Sequence, residues 1–405
     1  MTIKITLKKI RQVVFFVSLL LISGFVGFKF GLAKSFPKNE PKNFYLFWQV
    51  WQTLEEKYLE KEALNPQKMT EGAIKGMVDS LGDPYTVFLP KEENKLSKDD
   101  LNGEFGGIGV QLGYKEKTLA VIAPLDKTPA ALAGIKAGDL ILKIKDKEAG
   151  IDKETTNISL QEAMQLIRGP EGSLVTLELF REGVDKPFEI SIKRGKIVIP
   201  ALEAKLMEEG GKLFAYVHIY QFSDRMNEEW LAWAEGISLT KSKENFGGVI
   251  LDLRDNPGGF LQGAVFVAGE FLSRGETVLV QENYLGEREE IKVDREGKLL
   301  GVPLVVLVNK GSASAAEILA GALSETKRAK VVGEITFGKG TVQEPQDLPE
   351  NTGLHITIAR WLLPSGTSIH KTGMKPNFEV KDSTESGELK KDLILEKGIE
   401  TLINL

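Results

Sequence analysis

Apolar residues along the chain change their spacing in three successive zones. From Asn43 to about Asp79 they recur at helical intervals, with Phe44, Phe47, Trp48, Trp51, Leu54 and Tyr58, then Met69, Ala73 and Met77. That spacing predicts a small helical region. LGDPYTVFLP (81–90) is turn chemistry followed by an aromatic, strand-like patch, and KEENKLSKDDLNGE (91–104) reads as a solvated helical face or loop. Over 105–195 short strands dominate. FGGIGVQLGY is a Gly-rich entry to a strand, and LAVIAPL, SLVTLELFR and FEISIKR are strands. TPAALAGIKAGDLILKIKD is a short helix, turn and strand, and SLQEAMQLIRG is a helix. These elements make one compact domain of mixed class. From residue 196 apolar strands (AYVHIYQF, GGVILDLR, VPLVVLVN, AKVVGE) alternate with helical stretches (LQGAVFVAGEFL, AAEILAGALSE), which predicts an α/β core with a mostly buried parallel sheet. DLILEKGIETLI (392–403) is helical again. No internal repeat or low-complexity tract interrupts the pattern.

The extreme N-terminus differs from all three zones. Val13 to Phe28 is an uncharged run of 16 residues, about 24 Å as a helix against a hydrocarbon core of about 30 Å. Snorkelling of Lys29 extends it through Phe30 and Leu32. A basic stretch followed by an apolar one is the pattern of an export signal or signal-anchor, with Gly31-Leu32-Ala33 as a weak cleavage site; whether it is cleaved stays open, and a buried core helix is the bland alternative. The expected organisation is therefore a signal peptide or signal-anchor (1–34), a linker and N-terminal helical region (35–104), the mixed domain (105–195), the α/β core (196–381) and a helical tail (382–405). The helical ends are free to pack in a homo-oligomer or against the core.

Charge sharpens this picture. Six of the 52 basic residues lie in 1–34, with no acidic residue, so the remainder carries 46 basic against 57 acidic residues, a net charge of −11. An acidic body repels phosphate backbones and makes nucleic acid an unsuitable partner. With no cysteine, a disulfide scaffold, a thiolate metal site and a cysteine nucleophile are excluded. Any histidine mechanism must use His218, His355 or His370.

Three segments carry candidate chemistry. VPLVVLVN-KGSAS-AAEILAGALSE is a buried strand, a turn and a helix, with Ser314 at the junction. A serine there is an N-cap, or a nucleophile whose oxyanion meets the unpaired N–H groups of a helix N-terminus; Ser312 is the competing hydroxyl. GGVILDLRDNPGG (247–259) ends a strand in consecutive glycines, either an ordinary turn or a loop that exposes backbone N–H groups. FGKGTVQ (337–343) sets Lys339 between two glycines. It is a surface lysine, or an amine buried by close backbone packing, whose pKa must fall by about three units to serve as a base near neutrality.

DPYTVFL, GEFGGIGVQLG, TPAALAGIKAGDLI, IRGPEGS, DLRDNPGG, VNKGSASAAEI, VVGEITFGKGTVQ and ARWLLPSGTSIHKTGMKPN together resemble, in order, the carboxyl-terminal processing peptidases, or tail-specific serine proteases. The resemblance implies a crotonase-like α/β catalytic core with an inserted PDZ domain, and an exported endopeptidase with a Ser-Lys dyad and no cofactor or metal. It assigns the nucleophile to Ser314, the general base to Lys339, an assisting glutamine to Gln343, and the oxyanion donors to Gly258, Gly259 and Ala315. On a flat strand Lys339 and Gln343 lie about 13 Å apart, so contact needs a bend or the reach of both side chains. The PDZ resemblance implies capture of a substrate's C-terminal carboxylate by Gly106, Gly107, Ile108 and Gly109, strand addition, and a pocket among Ile108, Val110, Leu160, Met164 and Ile167; the bland alternative for these apolar residues is the domain's own core. Arg168 is a helix-terminal charge, a carboxylate ligand or a regulatory link to the core. The expected partners are proteins with unstructured C-terminal tails and, through the N-terminal segment, a membrane; the expected location is the periplasmic or cell-surface side. A histidine-dependent hydrolase, a silent PDZ adaptor and an acyl-CoA hydratase-type enzyme are the competing classes.

Overall fold

The computed structural model describes residues 11, 15–20, 23–24, 41, 43–115, 118–125, 127–156, 158, 160–198, 200–381 and 392–405. Half of the apolar N-terminal run and most of its basic flanks lie outside the described residues. So does much of the tail expected at 382–405. Among the described residues no helix is long and apolar enough to cross a membrane.

The chain divides into two compact units, 1–73 and 74–405. In the first, helix α1 (Phe44–Lys57) buries none of its residues. Its aromatic face is self-packed at i, i+3 and i, i+4 spacing: Phe44 stacks on Phe47 at 5.4 Å and meets Trp48 at 6.5 Å, and Phe47 meets Trp51 at 6.0 Å. Helix α2 (Pro66–Asp79) starts in this unit with Pro66 as its first residue and Asn65 Oδ1 accepting the Lys68 N–H at 3.0 Å.

The second unit opens with strand β1 (Val87–Leu89) and helix α3 (Lys91–Leu101). Then come β2 (Glu104–Gly107), β3 (Val110–Lys115), β4 (Thr118–Pro124), helix α4 (Pro129–Leu132), β5 (Leu140–Asp146), β6 (Ile151–Glu154), helix α5 (Leu160–Ile167), β7 (Leu174–Phe180), β8 (Phe188–Lys193) and β9 (Gly195–Val198). Antiparallel pairing of β2 with β9, Glu104 opposite Val198, zips the domain's entry to its exit. This is the neck expected of an insertion. The sheet runs β3-β4-β5-β7-β8, with β6 beside β5 and β3 as an edge. Alternation in β7 sends Val175, Leu177 and Leu179 into a core shared with Leu119, Ile141 and Ile144. Arg194, fully buried, ties this core together: its Nε donates to the Ile167 carbonyl at 2.8 Å and its Nη1 to Asp146 Oδ2 at 2.7 Å. Removing one partner of a buried ion pair costs about 3–5 kcal/mol. Asp146→Ala is therefore expected to destabilise this domain by that amount, read as a drop in its urea midpoint.

The core follows as β10 (Leu202–Glu209), β11 (Lys212–Ile219), helix α6 (Met226–Thr240), β12 (Phe246–Asp252), helix α7 (Leu261–Phe271), β13 (Thr277–Asn283), β14 (Arg288–Lys292), β15 (Leu304–Val308), helix α8 (Ala315–Glu325), β16 (Lys330–Gly333), β17 (Thr341–Asp347), β18 (Gly353–Leu362), β19 (Phe378–Glu379) and helix α9 (Leu393–Ile403). One sheet runs β10-β11-β12-β15-β16-β19 and is parallel from β11 onward. All five residues of β15 are buried, as befits a strand covered on both faces. Helices α7 and α8 pack with the main core, whereas Ile394, Ile399 and Leu402 of α9 cover the other face at Ile250, Val305 and Leu307. A second sheet, β1-β18-β13-β14 with β17 also on β18, stands beside it. Arg254, just past β12, bridges Asp252 to Asp392, and Asp392 also caps α9 by accepting the Leu395 N–H. The last helix is thus tied to the loop that follows β12.

Candidate active site

Strand β15 ends at Val308, and the turn to α8 places Ser314 as that helix's N-cap with φ 55° and ψ −115°. A non-glycine residue held there is strained and persists only where its surroundings fix it. They do so here. Ser314 N–H donates to Glu317 Oε2 at 2.9 Å within a capping box, and Ala313 N–H donates to the Asn256 carbonyl at 2.9 Å. Ser312, the competing hydroxyl, is fully buried; its Oγ donates to the Leu253 carbonyl at 2.7 Å and accepts the Asn309 N–H at 3.0 Å. It is a structural lock. Ser314 is half-buried and lines a cavity of about 390 Å³ with Lys339, Gln343, Tyr85, His355 and Trp361.

The loop after β12 approaches Ser314 closely. A Cβ on Gly258, whose φ is +104°, would lie 2.7 Å from Ser314 Cβ and 3.1 Å from Ala315 N, so glycine is required. The Gly258 N–H, however, is donated to Asn256 Oδ1 at 2.8 Å. This corrects the expectation for Gly258: its N–H is spent within its own loop, and the N–H groups of Gly259 and Ala315 are those that donate to no described residue. Asn256 is fully buried, and its Nδ2 donates to the Ile219 carbonyl at 2.8 Å. Its side chain thereby joins β11 to the glycine turn.

The glycines around Lys339 act as their position suggests. Cβ atoms on Gly338 and Gly340 would lie 2.7 Å from Gly373 N and 2.8 Å from His370 Cβ. The close neighbour is the segment 369–373. Burial pushes the Lys339 ammonium below the ordinary lysine pKa, while the charges of Asp83 and Glu317 pull the other way. Its Nζ lies 5.1 Å from the centre of the Tyr85 ring.

Gln343 reaches this lysine indirectly. A bulge between Val342 and Gln343 bends β17, and the Gln343 Nε2 donates to Thr341 Oγ1 at 2.9 Å and Thr357 Oγ1 at 3.1 Å. Burial raises the Asp83 carboxyl, but hydrogen bonds from Thr357, the Tyr85 N–H and Thr86 overcome that and hold it low. Gln343, Thr357 and Asp83 thus form a chain ending in a charge that acts on Lys339. Among the described residues no hydrogen bond joins any of the three histidines to Ser314. His218 Nε2 pairs with the Arg254 carbonyl and His370 Nδ1 accepts the Gly340 N–H. His355 faces the cavity, its pKa lowered by burial and by Lys339.

Two families of contact went unnoticed in the sequence. Fully buried Glu317 accepts from Ser314 N–H, Thr336 Oγ1 at 2.5 Å, Gly338 N–H at 2.7 Å and Lys339 N–H at 2.9 Å. One carboxylate fixes the backbones of both expected dyad residues. Asp83 sits in LGDPYTVFLP, where neither the turn chemistry nor the resemblance carried by DPYTVFL assigned it a role.

A family model described as Peptidase family S41 matches residues 213–380, one described as Activating protease CtpB N-terminal domain matches 32–93, and one described as PDZ domain matches 106–192. The Carboxy-terminal-processing protease of Bartonella bacilliformis is 36% identical over 380 residues, covering 92% of this chain and 83% of that one. The chain belongs to the carboxy-terminal processing proteases of peptidase family S41. The Bacillus subtilis protease CtpA is 34% identical over 333 residues, covering 82% and 68%. A solved photosystem II D1 C-terminal processing protease superposes with a TM-score of 0.53 at 26% identity, over 90% of this chain and 98% of that one.

As a processing protease with a PDZ domain, the chain has a second place of interest at β3 and α5. The carbonyls of Ile108 and Gly109 accept from Ala130 and Leu125 at 2.8 and 2.9 Å, and their N–H groups donate to no described residue. Gly106 and Gly107 lie in the β2–β9 ladder. Ile108 and Ile167, expected in the peptide pocket, are buried in the domain's own core, which corrects that expectation. Val110 and Leu160 are half-buried against the same core, and Met164 is 39% exposed on α5. Arg168 Nη1 donates to Asp100 Oδ1 of α3 at 3.0 Å and its guanidinium lies 4.1 Å over the Phe105 ring. It links the PDZ domain to α3.

Proposed function

We propose that the chain is an exported endopeptidase that cuts proteins bearing exposed, unstructured C-terminal tails by a Ser-Lys acyl-enzyme route. The observation that carries the reading is the shared cavity: a nucleophile-type serine at a strained helix N-cap and a desolvated lysine line one 390 Å³ space. Neutral Lys339 takes the Ser314 proton as Oγ attacks the scissile carbonyl, the N–H groups of Gly259 and Ala315 receive the oxyanion, and Lys339 returns the proton to the leaving amine. Water then releases the acyl group with Lys339 again as base. Gln343 acts through Thr357 and Asp83 on the lysine. The substrate's terminal carboxylate meets the Ile108 and Gly109 N–H groups while its last residues add to the open edge of β3 beside Met164. The N-terminal run delivers the body to, or holds it at, the outer side of a membrane, consistent with its basic flank and with a body free of cysteine.

The test is an incubation of the chain, without its N-terminal 34 residues, with a protein ending in a flexible apolar tail, beside the same substrate with an amidated C-terminus. Free tails should be cut and amidated ones spared by at least about tenfold, since a charge-assisted carboxylate contact is lost. Ser314→Ala should cut neither. Equal turnover of both tails overturns the PDZ assignment, and turnover by Ser314→Ala overturns the nucleophile.

A further inference from the structure

A second cavity, of about 670 Å³, opens beside the first and shares Pro84, Tyr85 and Thr341 with it. Its far wall is the tip of the β13–β14 hairpin, Glu282 to Gly286, where Tyr284 is 90% exposed. Its position relative to the PDZ domain is informative. The Ser314 cavity is bounded at one end by Leu101, the last residue of α3, which leads directly into the PDZ neck and whose neighbour Asp100 holds Arg168. The second cavity meets the first at Pro84, Tyr85 and Thr341, and neither Leu101 nor Ser314 is in its lining. A tail anchored by its C-terminus on the PDZ side and crossing Ser314 would therefore lay its residues N-terminal to the cut bond into this second space.

Two carboxylates, Asp83 and Glu282, and two cations, Arg360 and Lys371, line the cavity, and they differ in how they are paired. Glu282 is taken by Arg288 at 2.9 Å. Asp83 is held low by its hydrogen bonds and faces Lys339 and His370. Arg360 and Lys371, both exposed and both lining the space, have no ion-pair partner among the described residues. With Glu282 paired outward and Asp83 turned to Lys339, Arg360 and Lys371 are the cavity's cations left without an ion pair, on a body whose net charge is −11. That body repels acidic chains overall, so a local cationic pocket decides where such a chain can bind.

We propose that this cavity is a subsite for acidic residues on the N-terminal side of the cleaved bond, read by Arg360 and Lys371. The inference rests on the peptidase reading for its direction along the substrate. Its charge preference rests on the cavity alone.

The experiment uses fluorescent peptides with one shared apolar C-terminal tail, differing only three to six residues upstream of the cut, where Asp/Glu, Ser/Gly or Lys is placed. Binding is measured by anisotropy to the Ser314→Ala protein, and cleavage to the active protein. At about 0.05 M salt the acidic peptide should bind and be cut about 5–10-fold better than the neutral one, and the gap should close toward about 0.5 M as screening shortens to a few ångströms. The Arg360→Gln/Lys371→Gln variant should lose the preference while cutting the neutral peptide at the wild-type rate. Equal handling of acidic and neutral peptides overturns the subsite, as does a preference that survives in the double variant. Charge-dependent binding without cleavage leaves the subsite supported and sinks the peptidase mechanism instead.

Discussion

Lys339→Met is expected to lower turnover of a tail-exposed substrate by about 10³-fold or more, the scale on which a dyad acting as a unit collapses when one member goes. Lys339→Arg is expected to be equally inactive, because a guanidinium cannot give up its proton near neutral pH and so cannot act as a base. The pH profile separates this role from a structural one. Burial lowers the Lys339 pKa from its ordinary 10.5, so the wild-type rate should climb as pH rises through that lowered value and the neutral amine forms. Stability carries the same signature with a defined sign. Between the folded and unfolded pKa values the unfolded chain binds more protons than the folded one, so stability rises with pH across that window. Below it, the buried ammonium costs its full desolvation. Thermal melts of Ser314→Ala, compared with Ser314→Ala/Lys339→Met, should show a rise toward alkaline pH only where the lysine is present. Parallel melting curves, or a variant that still cuts, would remove Lys339 from the mechanism.

The parts of this site that sequence made legible are those where chemistry and spacing coincide locally. Ser314 is readable because a five-residue apolar strand, a short turn and a helix leave one hydroxyl at the N-cap. Lys339 is readable because its flanking glycines admit the backbone of 369–373. Long-range partners are not readable in this way. Asp83 acts on Lys339 from some 250 residues upstream, through a fold that brings β1 against β18, and no local pattern in LGDPYT announces it. The second sheet was missed for a related reason. β14 and β17 (REEIK and TVQEPQD) are polar and largely exposed on both faces, so hydrophobic alternation is absent from them. The PDZ pocket was over-assigned because an apolar residue next to a carboxylate loop looks the same whether it faces ligand or core; Ile108 and Ile167 face the core. Gly258 was over-assigned because its N–H is consumed by a side chain two residues away, a capture typical of Asn in tight turns.

Glu317 is the residue that sequence pattern alone had the means to find, since Ser314-Ala-Ala-Glu317 is a capping-box signature, and its replacement is expected to be nearly as damaging as that of the dyad. Four donors converge on its buried carboxylate from the nucleophile's turn and the lysine's loop. Glu317→Ala leaves them unpaired, at about 1–3 kcal/mol for each buried orphan before relaxation. A net destabilisation of about 3–5 kcal/mol and a loss of turnover of at least about 10²-fold follow, because both halves of the dyad lose their common anchor. Glu317→Gln is the sharper probe. It keeps the shape but turns one acceptor into an NH₂ that faces donors, and it removes a negative charge that raises the Lys339 pKa. Whatever turnover remains should therefore have its alkaline rise displaced to lower pH, because the amine, freed of that charge, deprotonates sooner. A carboxylate that merely supports the fold would lower the rate without moving the profile. An unmoved or alkaline-shifted profile in Glu317→Gln would leave Glu317 a structural brace alone, and an acid-shifted one would establish that the residue anchoring the dyad also sets the pH at which it works.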